Sequence, residues 1–344
     1  MIFIKILLFI YILSFFISLK DRSLLIVTFL ASIALFVITY TFIDNSFADD
    51  RGQYYYIFIN YNDFFVNHQD TSLLYLFKFL NLFIYEPLSF YFVISLIFIL
   101  LFYYFIKKHL TFEQMILFTI LIVLNRLYLD FEMNVMRSTL ASVLLLVFYT
   151  RIVLLRRYYY IAFLPIAFYM HIGLVTMILF LFLVSSRINY KSSYVIFIIG
   201  FLIFLFDINL SNLLLNNIDI LNYLKIISNN IYDFINPSLY VTSIKLKIQF
   251  IIYAVIPIYL LNKYRNNYLL NNQLNFILFG VGTVLIFYNS FPIIIRALSF
   301  FIPLIYFSFV QNFSFRNKVS VYYISFIVLI NSIIFYKNID YINI

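Results

Sequence analysis

The sequence predicts an all-α, polytopic integral membrane protein of roughly 11–12 transmembrane helices. Three observations lead there. Hydrophobic residues make up 65% of the chain and charged residues 11%, against about half and about a quarter in soluble domains. The apolar residues come in long blocks near the ~20 residues a crossing needs. The basic residues between those blocks also sort strongly to one side.

Taken in order, the apolar runs predict helices over 6–19, 23–43, 88–106, 114–129, 138–155, 158–170, 172–185, 194–214, 246–261, 273–290, 294–312 and 319–337. The first resembles a signal peptide in length, but it lacks a small-residue cleavage site and a second span follows at once. It therefore reads as a retained helix. The runs 158–170 and 172–185 form one 28-residue stretch containing Pro165, His171 and Gly173. That is long for one crossing and short for two. A helix pair broken at Met170–His171 fits, because irregular backbone at membrane depth is tolerated where it lines a cavity.

Charge supports the broken pair. With it, one side receives thirteen bases (Lys20, Arg22, Lys107, Lys108, Arg151, Arg156, Arg157, Arg187, Lys191, Lys263, Arg265, Arg316 and Lys318) against only Asp21 and Glu113. The other side receives twelve of the fourteen acids and ten bases. By the positive-inside rule the first side is cytoplasmic. The chain thus reads as one transmembrane domain over 1–344, with an external loop and interfacial helix at 44–87 and an external amphipathic loop at 215–245. Within the latter, Ile220, Leu224, Ile227, Ile231 and Phe234 repeat at helical spacing. Leu73–Tyr85 reads as a helix lying on the membrane until Glu86-Pro87 ends it.

Composition also excludes function classes. Without Cys there are neither disulfides nor thiolate metal sites. The net charge of +9 includes no basic run long enough for a nucleic-acid footprint. No His/Asp/Glu spacing suggests a metal and no Gly-rich loop suggests a phosphate cradle, so no cofactor is expected. Trp is absent, which leaves 32 Tyr and 45 Phe for the interfacial belts.

In this orientation the unusual polar residues fall on the external face. They are Asp49, Asp50, Arg51 and Tyr54–Tyr56 after the second span, Glu86 before the third, Asp130, Glu132, Asn134 and Arg137 before the fifth, His171 at the break, and Arg296 after "NSFP". Almost no ionisable group sits mid-span, as a proton or ion relay requires. Asn134 is a credible N-cap, which puts Arg137 in the first turn of "VMRSTLASVLL". A cation is unfavourable there unless an anion joins it, meeting guanidinium and free amides together. Arg296 repeats the arrangement, with Pro292 suited to a first helical position. Against this, interfacial arginines often snorkel to headgroups. His171 reads as a candidate general base, against the alternative of a core histidine bonded to a carbonyl. His68 and His109 read as ordinary loop residues. Asp49 and Asp50 can accept sugar hydroxyls, hold an arginine or take a proton. The Tyr54 and Tyr55 rings offer flat faces to sugars, or an aromatic belt.

The motifs "DDRGQYYYIF", "YEPLSFYF", "NVMRSTLAS" and "YMHIGLV", from about Asp49 to Val184, with a weaker echo in "IIIRALSFFIPL", resemble the EpsG-type polymerases. These are Wzy-like membrane proteins of bacterial exopolysaccharide, capsule and O-antigen synthesis. The resemblance implies a multi-pass protein of the bacterial inner membrane that joins undecaprenyl-diphosphate-linked oligosaccharide repeat units at the outer leaflet. It would work beside flippase and chain-length regulator proteins and require no nucleic acid. The matching positions are Asp49 or Asp50, Arg51, Glu86, Arg137 and His171, with Arg296 beside them. Chemistry then assigns Arg137 and Arg296 to the diphosphate, and the proton of the acceptor hydroxyl to His171 or, second, Asp50. Competing readings are a lipid-linked oligosaccharide flippase, which needs cations in a cavity between helices, and an O-antigen ligase, which differs only in its acceptor.

Overall fold

The computed structural model describes residues 2–42, 49–64, 71–123, 125, 136–163, 189–208, 244–263, 268–288, 295–313 and 317–338. Among these every regular element is a helix. Three stretches are long and apolar enough to cross a membrane: Arg22–Phe42, Pro87–Tyr104 and Lys318–Lys337. Shorter apolar helices accompany them, including Ile2–Ser18, Tyr190–Leu205 and Phe300–Gln311.

The first two helices, α1 (Ile2–Ser18) and α2 (Leu25–Phe42), form an antiparallel hairpin. Its turn is set by Asp21, whose Oδ1 accepts from the Ser23 amide (3.1 Å) and hydroxyl (2.7 Å). These bonds, the hydroxyl one first, hold the Asp21 carboxyl below its ordinary value. Inside the hairpin the Thr28 hydroxyl donates to the Ser14 hydroxyl at 3.0 Å. Next come α3 (Asp49–Ile59), α4 (Tyr61–Phe64), α5 (Thr71–Leu80), α6 (Pro87–Ile106) and α7 (Phe112–Val123). The region read as a polar loop from Phe47 to Phe65 is thus largely helical. Arg51, Tyr54 and Phe58 are buried at i, i+3 and i+7, which gives α3 an inner face. The interfacial helix expected over 73–85 ends earlier, at Leu80. There the Asn81 side chain turns to donate to the Phe58 carbonyl at 3.2 Å.

Beyond these lie α8 (Met136–Tyr149), α9 (Tyr190–Leu205), α10 (Ile244–Phe250), α11 (Ile256–Lys263), α12 (Tyr268–Tyr288), α13 (Ile295–Gln311) and α14 (Lys318–Asn338). The span expected over 194–214 stops at Leu205. Asp207 adopts the left-handed conformation (φ 53°), the Ile208 amide reaches back to the Ile203 carbonyl at 3.0 Å, and Lys247 donates to the Leu205 carbonyl at 3.2 Å. Lys247 also pairs with the Asp207 carboxylate. The run expected over 114–129 is helical to Val123. Of the broken pair expected around His171, only the 3₁₀ segment Tyr158–Phe163 is described. The break itself and the 215–245 segment lie outside the described residues.

One end of the bundle is held by polar contacts. Arg22 meets Glu113 at 3.2 Å, joining the start of α2 to the start of α7. Gln114 Nε2 donates to the Gln311 carbonyl at 3.2 Å, and Gln273 Nε2 to Gln311 Oε1 at 2.8 Å. Thus α7 and α12 begin where α13 finishes. The ends of α6 and α8 are there too, since the His109 ring lies 6.2 Å from that of Phe307 and feels the charge of Arg151.

The segment expected over 246–261 is helical but interrupted by a π turn at Ile251–Val255, followed by Pro257. The Ile256 amide bonds the Ile251 carbonyl. In that register the next donor would be residue 257, and proline has none. Tyr323 of α14 supplies it, its hydroxyl donating to the Ile252 carbonyl at 3.0 Å.

The closest helix pairing is that of α9 and α12. Ser193 bonds Asn275, and seven residues further on in each helix Gly200 meets Gly282. The two helices are therefore parallel. A Cβ on Gly200 would stand on the Gly282 carbonyl oxygen, and one on Gly282 would lie 2.7 Å from the Phe197 Cα. By contrast, a Cβ on Gly52 in α3 would meet nothing within 4 Å. Gly200→Val is expected to lower stability by about 3 kcal/mol, whereas Gly52→Ala raises it by about 0.5–1 kcal/mol. Thermal unfolding of the two purified variants in detergent checks this, and equal midpoints would refute the close packing.

Candidate functional site

At the end of the bundle away from the Gln114–Gln311–Gln273 contacts, α2 finishes and α6, α8 and α13 begin. Helix α3 crosses there, and Asp49 and Asp50 are its first two residues, where the helix dipole favours negative charge. The Arg51 guanidinium is buried, 3.7 Å above the Tyr91 ring, and its Nη2 donates to the Thr41 carbonyl at 2.6 Å. In return the Tyr91 hydroxyl donates to the Arg51 carbonyl at 2.9 Å. Thr41 lies in the last turn of α2, where carbonyls lack helical partners and cations are favoured. Arg51 therefore fastens α3 to α2 and α6.

Of the consecutive tyrosines, Tyr54 is buried and Tyr55 half-buried, with its hydroxyl donating to the Tyr85 carbonyl at 2.9 Å. Tyr56 is exposed. Tyr55 and Phe58 pack into an aromatic cluster with Phe77, Phe90 and Tyr91, in which the Phe58 and Phe90 rings stack at 4.4 Å. Arg51 and Tyr54, read from sequence as possible substrate contacts, are thus packed inside. The helical spacing of Arg51, Tyr54 and Phe58 was the signal that could have shown it. Glu86 is exposed at the N-cap of α6, extended (φ −100°, ψ 142°) as a residue before proline must be, and its side chain makes no capping bond.

Arg137 and Arg296 are each the second residue of a helix, α8 and α13. These helices pack against each other and run parallel. Their register is given by the Tyr149 hydroxyl, 3.0 Å from that of Ser308. Arg137 precedes Tyr149 by twelve residues and Arg296 precedes Ser308 by twelve. At 1.5 Å per residue, both arginine backbones stand about 18 Å from that contact, at one level. His171, Asn134 and Pro292 lie outside the described residues, as does His68. Among the described residues no group of three or more His, Cys, Asp or Glu could hold a metal.

Residues 44–343 match the EpsG family. The chain belongs to that family. It is a membrane protein related to polysaccharide biosynthesis, a family associated with glycosyltransferase-like polymerases. Comparison with curated proteins and with solved structures finds no match.

Below this end lies a polar chain that sequence reasoning missed. Asn125 Nδ2 donates to the Tyr306 hydroxyl (3.2 Å), which lies 3.5 Å from that of Tyr323, and Tyr253 donates to Asn331 Oδ1 at 2.5 Å. Lone amides in apolar runs ("IVLNRL", "VLINSI") were its only trace.

The Arg51 contacts make an expectation for the EpsG protein. Arg51→Gln loses both the stack and the bond to Thr41, so its thermal midpoint falls, and with it polymer output. Arg51→Lys recovers little, because the flat guanidinium face is what meets Tyr91. Full stability of either variant by thermal unfolding would exclude the fastening role.

His109, at the opposite end, is held below its ordinary value of 6.5, first by burial and then by Arg151 and Lys108. A depressed folded value means that the unfolded chain takes the proton more readily. The His109 contribution to stability is then present above pH 6.5 and lost as the pH falls through the folded value. Thermal midpoints measured from pH 8 to 5 should decline below about 6.5. The decline should be shallower for His109→Gln, and identical slopes would contradict the assignment.

Proposed function

We propose that this EpsG protein is a multi-pass polymerase of the bacterial inner membrane. It transfers a growing oligosaccharide from undecaprenyl diphosphate to a hydroxyl of the next lipid-linked repeat unit at the outer face. The supporting observation is the pairing of Arg137 and Arg296 as second residues of adjacent parallel helices at one level. Two helix N-termini with a guanidinium apiece suit two phosphates. Free amides and positive dipole ends act together with the bidentate side chains. The matching family adds that the substrate belongs to polysaccharide assembly.

In the step, the acceptor oxygen attacks the anomeric carbon of the donor sugar. The bond from that carbon to the diphosphate oxygen breaks, and its electron pair leaves with the diphosphate. Charge developing on the leaving oxygen is met by Arg137 and Arg296. The acceptor proton passes to His171, with Asp50 or Asp49 as the second candidate. Asn134 caps α8 beside the phosphates, and the exposed Glu86 and the Tyr55 edge bind sugar hydroxyls. Arg51 and Tyr54 hold α3 beneath them without touching substrate. Flippase and chain-length regulator proteins are the expected neighbours.

Reconstitution with a purified lipid-diphosphate repeat unit tests the reading. Wild type should give a ladder of polymer. Arg137→Lys and Arg296→Lys should lose most of it at unchanged thermal midpoints, since charge remains but the planar fork is gone. His171→Ala should slow elongation by about 10²–10⁴. Undiminished ladders from both arginine variants would sink the diphosphate clamp. Activity only toward a non-repeat acceptor would identify a ligase instead.

A further inference from the structure

At the opposite end of the bundle the last turns of α6 and α8 gather Lys107, Lys108, Arg151, Arg156 and Arg157. The gathering is built into the backbone. The Leu155 amide bonds the Thr150 carbonyl at 3.1 Å in a π turn, Arg156 adopts a left-handed conformation (φ 52°), and the Arg157 amide returns to the Arg151 carbonyl at 2.9 Å. Residues 156 and 157 are thereby folded back beside Arg151. The half-buried Arg151 guanidinium stands 5.6 Å from the centre of the Tyr160 ring, and the Lys107 ammonium 4.8 Å from that of Tyr104. His109 bridges the two groups, close enough to both Lys108 and Arg151 to feel their charge.

We propose that this patch is a binding site for the headgroup phosphate of an anionic phospholipid. Its charge exceeds what the protein itself neutralises. Two helix C-termini offer about half a negative charge each, against five cations. The acids expected on this side are Asp21 and Glu113, and both are engaged elsewhere, with Ser23 and Arg22. The surroundings select a lipid over a soluble anion. Tyr104 and Tyr159 are more than half exposed, and Leu155 and Tyr158 are exposed between them. Tyrosine rings of this kind sit at headgroup depth, and exposed Leu155 offers an acyl chain a surface beside the cations. Basic pockets between membrane helices on the cytoplasmic side are where acidic headgroups bind.

Native mass spectrometry of the full chain, with phosphatidylglycerol, phosphatidylcholine or inorganic phosphate added, tests the site. Wild type should retain phosphatidylglycerol in preference to phosphatidylcholine. The set Lys107→Gln, Lys108→Gln, Arg157→Gln changes only exposed side chains. It should weaken that retention about a hundredfold, at roughly a tenfold loss or less for each charge removed. The control set Lys20→Gln, Lys263→Gln, Lys318→Gln removes as many exposed bases outside the patch and should leave retention unchanged. Equal loss in both sets would reduce the effect to diffuse surface charge and overturn the site. So would displacement of the lipid by inorganic phosphate at equal concentration, which would make the ligand a soluble anion.

Discussion

The Gln311 side chain and carbonyl, held by Gln273 and Gln114, set the register from which the far end of the bundle follows. Helices are stiff rods of fixed rise. Once the start of α7, the start of α12 and the finish of α13 are joined at one end, the other termini can vary only with helix length. Tyr149 and Ser308 carry the same register to α8. The two arginine-bearing helix starts are therefore matched by a hydrogen bond far below them, and no direct contact between the arginines is needed to align them.

The same economy of polar groups runs through the interior. In surroundings without water, each main-chain carbonyl released from a helix needs a donor from elsewhere. Tyr323 gives one to Ile252, Arg51 to Thr41 and Lys247 to Leu205. In each case the donor comes from a different helix, so the repair of a local defect also ties two elements together. Interruptions in the helices thus become joints of the fold.

Most helices were legible as apolar runs, because spans of this composition have few alternatives. The positions of α2, α6, α12, α13 and α14 differ from the expected ones by a few residues. The helical nature of 49–64 was not legible in the same way. Its polar face carries Asp49, Asp50 and Gln53, and its buried face rests on an arginine, a residue that hydropathy counts as exposed. The early end of α9 was hidden for a related reason. It depends on Lys247, forty residues away, and on Asp207 in a conformation more often occupied by glycine. Of the site, the first-turn positions of Arg137 and Arg296 could be read from local sequence. Their common level could not, since it arises from a bond between Tyr149 and Ser308. Arg51 and Tyr54 were misjudged because a charged or phenolic group beside a membrane suggests display, whereas here a stack and a carbonyl make burial favourable.

The contact between Gly200 and Gly282 bears on how the protein is made. α12 emerges from the ribosome well after α9, with α10 and α11 between them. Until it arrives, the small-residue face of α9 has no mate and the Ser193 hydroxyl lacks Asn275. The carboxyl-terminal half therefore assembles in retrospect, with an early helix waiting in the lipid for a later one. A chain halted before α12 would present that unmated face to the quality-control proteases of the membrane.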